Sequence, residues 1–178
     1  MSVQQTIVPP AFESLYRVHV GYVLASLRRL GVHERDLEDV THDVFLAVYR
    51  HLADFDPARP IRPWLFGFAY RIASDYRKLS RHRHEAAPTA NESAAESPLQ
   101  DEQLDAERCR RIVLLALDRL DLERKAILVM HDLDGHTVPD IARELGVPLN
   151  TAYSRLRLAR RDFEAALREV QGGEEGSL

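Results

Sequence analysis

One cysteine, Cys109, stands in the 178-residue chain, so no disulfide can close within it. That suits a reducing compartment. No apolar run approaches the roughly 20 residues that a bilayer-crossing helix needs. The opening "MSVQQTIVPP" lacks the basic-then-apolar order of a secretion signal. The expected location is therefore cytoplasmic, with no direct membrane insertion. No alternating apolar–polar stretch is present, which argues against strands. No phosphate loop, nucleophile elbow or supported pair of carboxylates is visible, so no enzyme activity is expected. The histidine pairs His82/His84 and His131/His136 lack a thiol partner or tetrahedral spacing, and neither a metal nor a cofactor is expected. Cys109 falls on an apolar helical stripe and reads as a small core residue.

A basic balance is missing too. The formal net charge is −4. Yet the charge is distributed unevenly. From Arg59 to His84 there are seven Lys or Arg against one acid, Asp75. From Glu85 to Glu107 there are seven acids and no Lys or Arg, and from Arg143 to Arg168 six arginines face three acids. Screening limits each charge to about 8–10 Å, so local basic surfaces govern nucleic-acid binding more than the total does.

Helical periodicity dominates both sides of the acidic stretch. In "FESLYRVHVGYVLASLRRLG", Leu15, Tyr16, His19, Val23 and Leu27 share one face, and Gly31 offers a C-terminal cap. In "DLEDVTHDVFLAVYRHL", Leu37, Val40, Val44, Val48 and Leu52 form a stripe, with Asp36, Glu38 and Asp39 at the dipole-favoured start. "FDPARPIRP" holds three prolines and reads as a loop. "WLFGFAYRIASDYRKLSRHRH" is helical again, apolar first and basic later. "EAAPTANESAAESPLQDEQ" has almost no large apolar residue and reads as a flexible linker. Beyond it, Cys109, Ile112, Val113, Ala116 and Leu120 form a stripe, and "LERKAILVMHDL" is a helix ending at Asp134–Gly135. The expected fold is all-α: an N-terminal domain over residues 1–84, an acidic linker over 85–103, a C-terminal domain over 104–170 and a disordered tail over 171–178.

"VPDIARELGVPLNTAYSRLRLARRDF" has the spacing of a helix-turn-helix. Thr137 suits the N-cap with Asp140 as its partner three residues on. Ile141, Ala142 and Leu145 form the apolar side of the first helix, and Gly146 suits a turn needing positive φ. Ala152, Leu156, Ala159 and Phe163 form the buried side of the second. Asn150, Thr151, Tyr153, Ser154, Arg155, Arg157, Arg160 and Arg161 remain outside, a mixture able to grip phosphates and base edges.

"DLEDVTHDVFLAVYRHL", then "RPWLFGFAYRIASDYRK", then a poor linker, then the helix-turn-helix together resemble bacterial sigma factors of the two-domain, extracytoplasmic-function type. The resemblance covers about 12–83 and 104–167. It implies a promoter-specificity subunit that binds core RNA polymerase, recognises promoter DNA and helps open it, while the polymerase does the chemistry. It also implies an anti-sigma protein as partner. On this resemblance, Asp39, His42, Asp43, Phe45 and Leu46 contact the polymerase. Asp54, Phe55, Asp56 and Arg59 form a base-capturing loop of the minus-ten reader. Trp64, Tyr70, Arg71, Tyr76, Arg77, Lys78 and Arg81 line the exposed strand or its upstream duplex, a mixture suited to stacking and phosphate contact. In the minus-thirty-five reader, Tyr153, Ser154 and Arg157 face bases, Arg143, Arg155 and Arg160 hold phosphates, and Asn150 and Thr151 border them.

Three positions depart from the family pattern. His42 replaces a common Gln, Tyr153 replaces a Lys or Arg, and Leu158 replaces an Arg. The last two remove potential DNA charges, so phosphate affinity and the sequence read are both expected to shift. The acidic linker is either a nucleic-acid mimic in the polymerase or a solubilising spacer. Two rival readings leave Asp36–Arg83 unexplained or lack a reactive site: an autonomous helix-turn-helix regulator, and a DNA-modifying enzyme.

Overall fold

The computed structural model describes residues 10–84 and 101–175. These residues are almost entirely helical and contain no strand, as the periodicity predicts. Helix α1 runs over Pro10–Arg29, α2 over Leu37–Arg50 and α3 over Ile61–His84. The C-terminal half holds α4 over Asp101–Asp118, α5 over Leu122–Leu128, α6 over Val138–Leu145 and α7 over Leu149–Glu175. A five-residue π-turn, Val129–Leu133, extends α5.

The first three helices pack on one another. Val23 and Leu27 of α1, Val44 and Val48 of α2, and Leu65, Phe66 and Ala69 of α3 are fully buried. The stripe on α2 falls as its spacing predicts, with Leu52 continuing it half-buried beyond the helix end. On α1 the stripe holds at Val23 and Leu27, but Tyr16 is 41% exposed. Gly31 closes α1 at φ +90, and the Val32 amide donates to the Leu27 carbonyl at 3.1 Å. Such a left-handed C-terminal cap is open to glycine at little cost. A Cβ on Gly31 would also stand 3.3 Å from both Asp118 Oδ1 and Lys125 Nζ.

Two expectations about helix limits are corrected. The proline-rich loop ends sooner than its composition suggests, because Ile61, Arg62 and Pro63 already belong to α3. Proline lacks only an N–H that the first turn leaves unpaired anyway. At the other end, α7 continues through Glu175, past the expected start of the tail at 171. Gly172 and Gly173 in this last stretch have nothing near them, so packing does not hold it. The expected linker falls mostly on residues 85–100, outside the described residues, and α4 begins at Asp101.

In the C-terminal half, α5 and α4 pack on α7, and α6 crosses α7. Ala116, Leu117, Ile127, Met130, Ile141, Ala152 and Ala159 are fully buried. Cys109 corrects another expectation: it is exposed. Every residue from 105 to 111 is exposed, so no neighbouring element covers the first turns of α4 there.

The buried residues of both halves form one continuous cluster. Helix α3 packs against α6. Gly67 lies at this contact, since a Cβ there would stand 3.4 Å from the Glu144 carbonyl oxygen. At the loop before α6, Asp134 is only 7% exposed at its side chain. It accepts from the Tyr22 hydroxyl at 2.9 Å and from Arg29 NH1 at 2.9 Å. Arg62 lies over the Tyr22 ring, 5.3 Å from its centroid. Burial first, and Asp134 second, push the Tyr22 hydroxyl far above its ordinary range.

Candidate functional site

Helix α2 presents Asp39, His42, Asp43 and Leu46 at the surface. They lie opposite the valine stripe, because their positions fall on the other side of a 3.6-residue period. Leu46 is 41% exposed. Phe45 is only 3% exposed and does not stand out from the surface as the other four do. It forms the floor of an open cavity of about 640 Å3 lined also by Phe12, Tyr16, His42, Leu46 and Tyr49. Edge-on aromatic contacts hold Phe45 there, with ring centroids 6.3 Å from Phe12 and 4.7 Å from Tyr16. Tyr16 and Phe12 come from α1, and the sequence reading missed them because it treated Tyr16 as core.

The loop before α3 is held by its own acids. His51 Nδ1 lies 3.0 Å from Asp54 Oδ2. Asp56 accepts from the Ala58 amide at 3.0 Å and pairs with Arg59 at 3.4 Å. Phe55 and Trp64 stack at a tilt, 4.8 Å between centroids, and Trp64 meets Phe68 edge-on at 4.9 Å. Trp64 and Phe55 are half-buried, so each offers one face at most.

Along α3 the expected DNA residues do not all share a free surface. Lys78 is exposed, paired with Asp75 one turn earlier at 3.1 Å. Arg71 is exposed and lies over the Phe68 ring at 4.9 Å. Tyr76 turns instead toward the start of α2, its hydroxyl donating to Asp36 Oδ2 at 2.5 Å. Arg77 turns to the end of α1, donating to the Leu30 carbonyl at 3.3 Å. Tyr70 is half-buried toward the C-terminal half, its hydroxyl raised first by burial and next by Glu123. Tyr70, Tyr76 and Arg77 thus each find a hydrogen-bond or packing partner inside the free fold. Arg81 lies on α3, but its side chain falls outside the described ones.

A buried cation stands beside Arg77. Lys125 of α5 is fully buried, with Nζ 2.6 Å from Asp118 Oδ1. Burial lowers its pKa against the pull of Asp118. Lys125 and Arg77 converge on the carbonyl end of α1, where the helix dipole favours cations. A lysine reads as surface in sequence, and nothing local signals this burial.

The helix-turn-helix forms as its spacing predicts. Thr137 Oγ1 accepts from the Asp140 amide at 3.4 Å and donates to Asp140 Oδ2 at 2.6 Å. Gly146 adopts φ +67, and the Val147 amide donates to the Ala142 carbonyl at 2.9 Å. Ala152, Leu156 and Ala159 of α7 are buried, with Phe163 half-buried behind them. Asn150, Tyr153, Ser154 and Arg157 are exposed, and Thr151 is half-buried. Tyr153 is 53% exposed.

Acids hold most of the arginines near this surface. Arg143 pairs with Asp140 on its own helix. Arg155 reaches Glu123 of α5 at 2.6 Å. Arg160 grips Asp132 with Nε at 2.8 Å and NH2 at 2.5 Å. That grip, together with His131, holds the Asp132 carboxyl below the usual range. Among the described residues, Arg157 has no ion pair. The surface can therefore offer bases a tyrosine, a serine and an unpaired guanidinium, with restrained cations on either side.

Comparison with known proteins matches both halves. Residues 15–83 match the family described as Sigma-70 region 2, and residues 110–163 match Sigma-70, region 4. The chain is 30% identical over 158 residues to the ECF RNA polymerase sigma factor SigL of Mycobacterium tuberculosis, covering 88% of this chain and 89% of that one. Among solved structures, CnrH in complex with the cytosolic domain of CnrY is 26% identical at a TM-score of 0.61, covering 89% of this chain and 88% of that one. The sigma factor RpoE in complex with the anti-sigma factor NepR, from Bartonella quintana, shares the fold at 21% identity and a TM-score of 0.69, covering 89% and 97%. The match over 15–83 accounts for the segment that an autonomous regulator left unexplained.

Proposed function

Because the chain belongs to the ECF RNA polymerase sigma factors, which direct transcription by RNA polymerase, we propose how its own residues divide that work. Asp39, His42, Asp43 and Leu46 engage core polymerase, with the aromatic cavity beside them seating an apolar side chain of the partner. The charged rim sets orientation and on-rate, and the cavity supplies buried apolar area. Helix α3 and its preceding loop handle the minus-ten region. Trp64 and Phe55 offer aromatic faces, and Arg59, Arg71 and Lys78 supply phosphate contacts. Helix α7 reads the minus-thirty-five region through Tyr153, Ser154 and Arg157. The chain supplies recognition and the polymerase supplies the chemistry.

The observation that carries this reading is the pairing of an exposed recognition helix with an exposed acidic and apolar face on α2. The free fold also restricts it. The two promoter regions named above lie about 25 base pairs apart, roughly 85 Å of duplex at about 3.4 Å per pair. In the free chain α3 packs directly on α6. The halves therefore separate before both regions are read together, and core polymerase is the partner that separates them. The similar proteins CnrH and RpoE are each seen with a bound partner, the cytosolic domain of CnrY and the anti-sigma factor NepR, and an anti-sigma protein is the partner that opposes this step. Acting on RNA polymerase, the protein works in the cytoplasm. No described helix is long and apolar enough to cross a membrane.

Mixing the purified chain with bacterial core RNA polymerase tests the reading. Tight binding is expected, together with its loss in an Asp39→Ala/Asp43→Ala variant of intact fold. No binding of the wild-type chain to a cognate core enzyme would overturn it.

A further inference from the structure

Four acid-paired arginines flank the DNA-facing side of α7, and one differs from the rest. Arg143–Asp140 lies within one helix turn, and Arg161–Asp162 joins neighbours in sequence. Arg155 NH2 lies 2.6 Å from Glu123 Oε2. Arg160 alone crosses between elements with a two-pronged grip, its Nε and NH2 each taking one oxygen of Asp132. His131 Nδ1 closes the group, 2.7 Å from Asp132 Oδ1 and 3.2 Å from Arg160 NH2. Asp132 and His131 both sit on the π-turn that extends α5. Such turns are rare and concentrate at functional sites.

A guanidinium has five N–H donors in a fixed plane. Nε and NH2 each give one to Asp132, NH2 also lies beside His131 Nδ1, and NH1 has no partner among the described residues. Arg160 remains 49% exposed at its side chain, on an open face shared with Tyr153, Arg157 and Arg161. The grip therefore fixes the Nε–NH2 edge of the plane and leaves the NH1 donors without a protein partner among the described residues. A long arginine side chain otherwise loses much rotamer freedom on binding, and a held one has lost it already.

We propose that Asp132 is a positioning residue for DNA binding: it orients Arg160 so that the free guanidinium edge meets one backbone phosphate beside the upstream promoter element. The inference rests on α7 being the upstream reader. It assigns Asp132 a role opposite to its charge. An acid near DNA repels phosphates, so its removal by itself favours binding. Positioning makes its removal unfavourable.

The test uses holoenzyme assembled from the full chain and core polymerase. The probe is a duplex carrying the upstream element of the promoter that the wild-type holoenzyme selects most strongly from genomic DNA. Phosphates of that duplex are replaced one at a time by uncharged methylphosphonates. For wild type, one replacement is expected to weaken binding roughly tenfold, the scale of a hydrogen bond to a charged group. Arg160→Ala is expected to abolish the effect of that one replacement. Asp132→Ala is expected to weaken binding and to shrink the same effect to within about twofold, with all other replacements unchanged. Asp132→Glu is expected to restore it in part. Tighter binding by Asp132→Ala, with the phosphate effect kept or enlarged, would show that Asp132 sequesters Arg160 and would overturn the proposal. A uniform weakening of every phosphate effect, with a lowered melting temperature, would mean a structural role only and would also overturn it. If wild-type holoenzyme selects no DNA, or Arg160→Ala spares every phosphate effect, the assignment of α7 fails instead, and the two failures are told apart.

Discussion

The two helices expected to meet DNA differ in what the fold leaves free. On α3, Arg77 caps the end of α1, Tyr76 bonds to Asp36 and Tyr70 faces the C-terminal half. On α7, Tyr153, Ser154 and Arg157 are exposed, and even the paired Arg160 keeps half its side chain in solvent. The helix proposed to read the upstream element is thus presented by the free chain, while the helix proposed to handle the opened strand is partly used as packing. A helix that must touch DNA only after promoter opening can be engaged elsewhere beforehand. A helix that reads duplex DNA at first encounter gains nothing from being covered.

The strongest way to break this contrast is to cut the clasp that joins the halves. Asp134→Ala leaves the Tyr22 hydroxyl and Arg29 without their acceptor. With Asp134 nearly buried, a loss of about 3 kcal/mol is expected, read by denaturant unfolding. The hydrodynamic radius of the free chain should rise with it. A destabilised chain of unchanged radius would remove the clasp from the account. A smaller effect sharpens the exposed side. Arg157→Ala is expected to cost roughly 1–2 kcal/mol in discrimination between the selected promoter and a base-substituted copy. Lys78→Ala should weaken both DNAs alike, and only in holoenzyme. Competition binding checks both.

Gly146→Ala comes next. Positive φ costs a residue with a Cβ about 1 kcal/mol. Nothing stands near Gly146 to add a clash. The loss should appear as reduced stability of the C-terminal half, followed by hydrogen exchange in α6 and α7, with α1–α3 unaffected. The smallest effect concerns acid. His136 lies 3.5 Å from the Tyr22 hydroxyl, with Asp134, Asp140 and Arg62 around it. Burial lowers its pKa below 6.5, although Asp134 opposes the shift. The folded chain therefore binds this proton less readily than the unfolded chain. Its contribution to stability is present above about pH 6.5 and is lost as pH falls below it. Unfolding curves between pH 7.5 and 5.5 should show a shallow decline that His136→Asn flattens.

Much of this was legible in sequence because it is local. Gly31 and Gly146 announced their turns, since a positive φ constrains one residue and its neighbours. The buried side of α7 followed from steps of four, three and four, which a helix converts directly into a face. What was not legible depends on distant partners. Tyr22 meets Asp134 across 112 positions, and no periodicity carries that. Tyr16 and Phe45 exchanged expected roles, because a stripe of apolar residues shows that a face is covered but not how far the cover reaches. Cys109 shows the same limit at the start of α4, where the stripe runs past its partner. Lys125 was invisible because its burial depends on Asp118 and the end of α1 together.

In the free chain the halves pack on each other, and the proposal is that core polymerase separates them. Energy transfer between dyes on α1 and α4 tests it most directly, with Val18→Cys and Leu115→Cys labelled in a Cys109→Ser background. Both labelled positions are exposed and lie outside the DNA-facing helices. High transfer is expected in the free chain, with no change on adding promoter DNA alone and a large fall on adding core polymerase. Low transfer in the free chain, or transfer unchanged by polymerase, would contradict it.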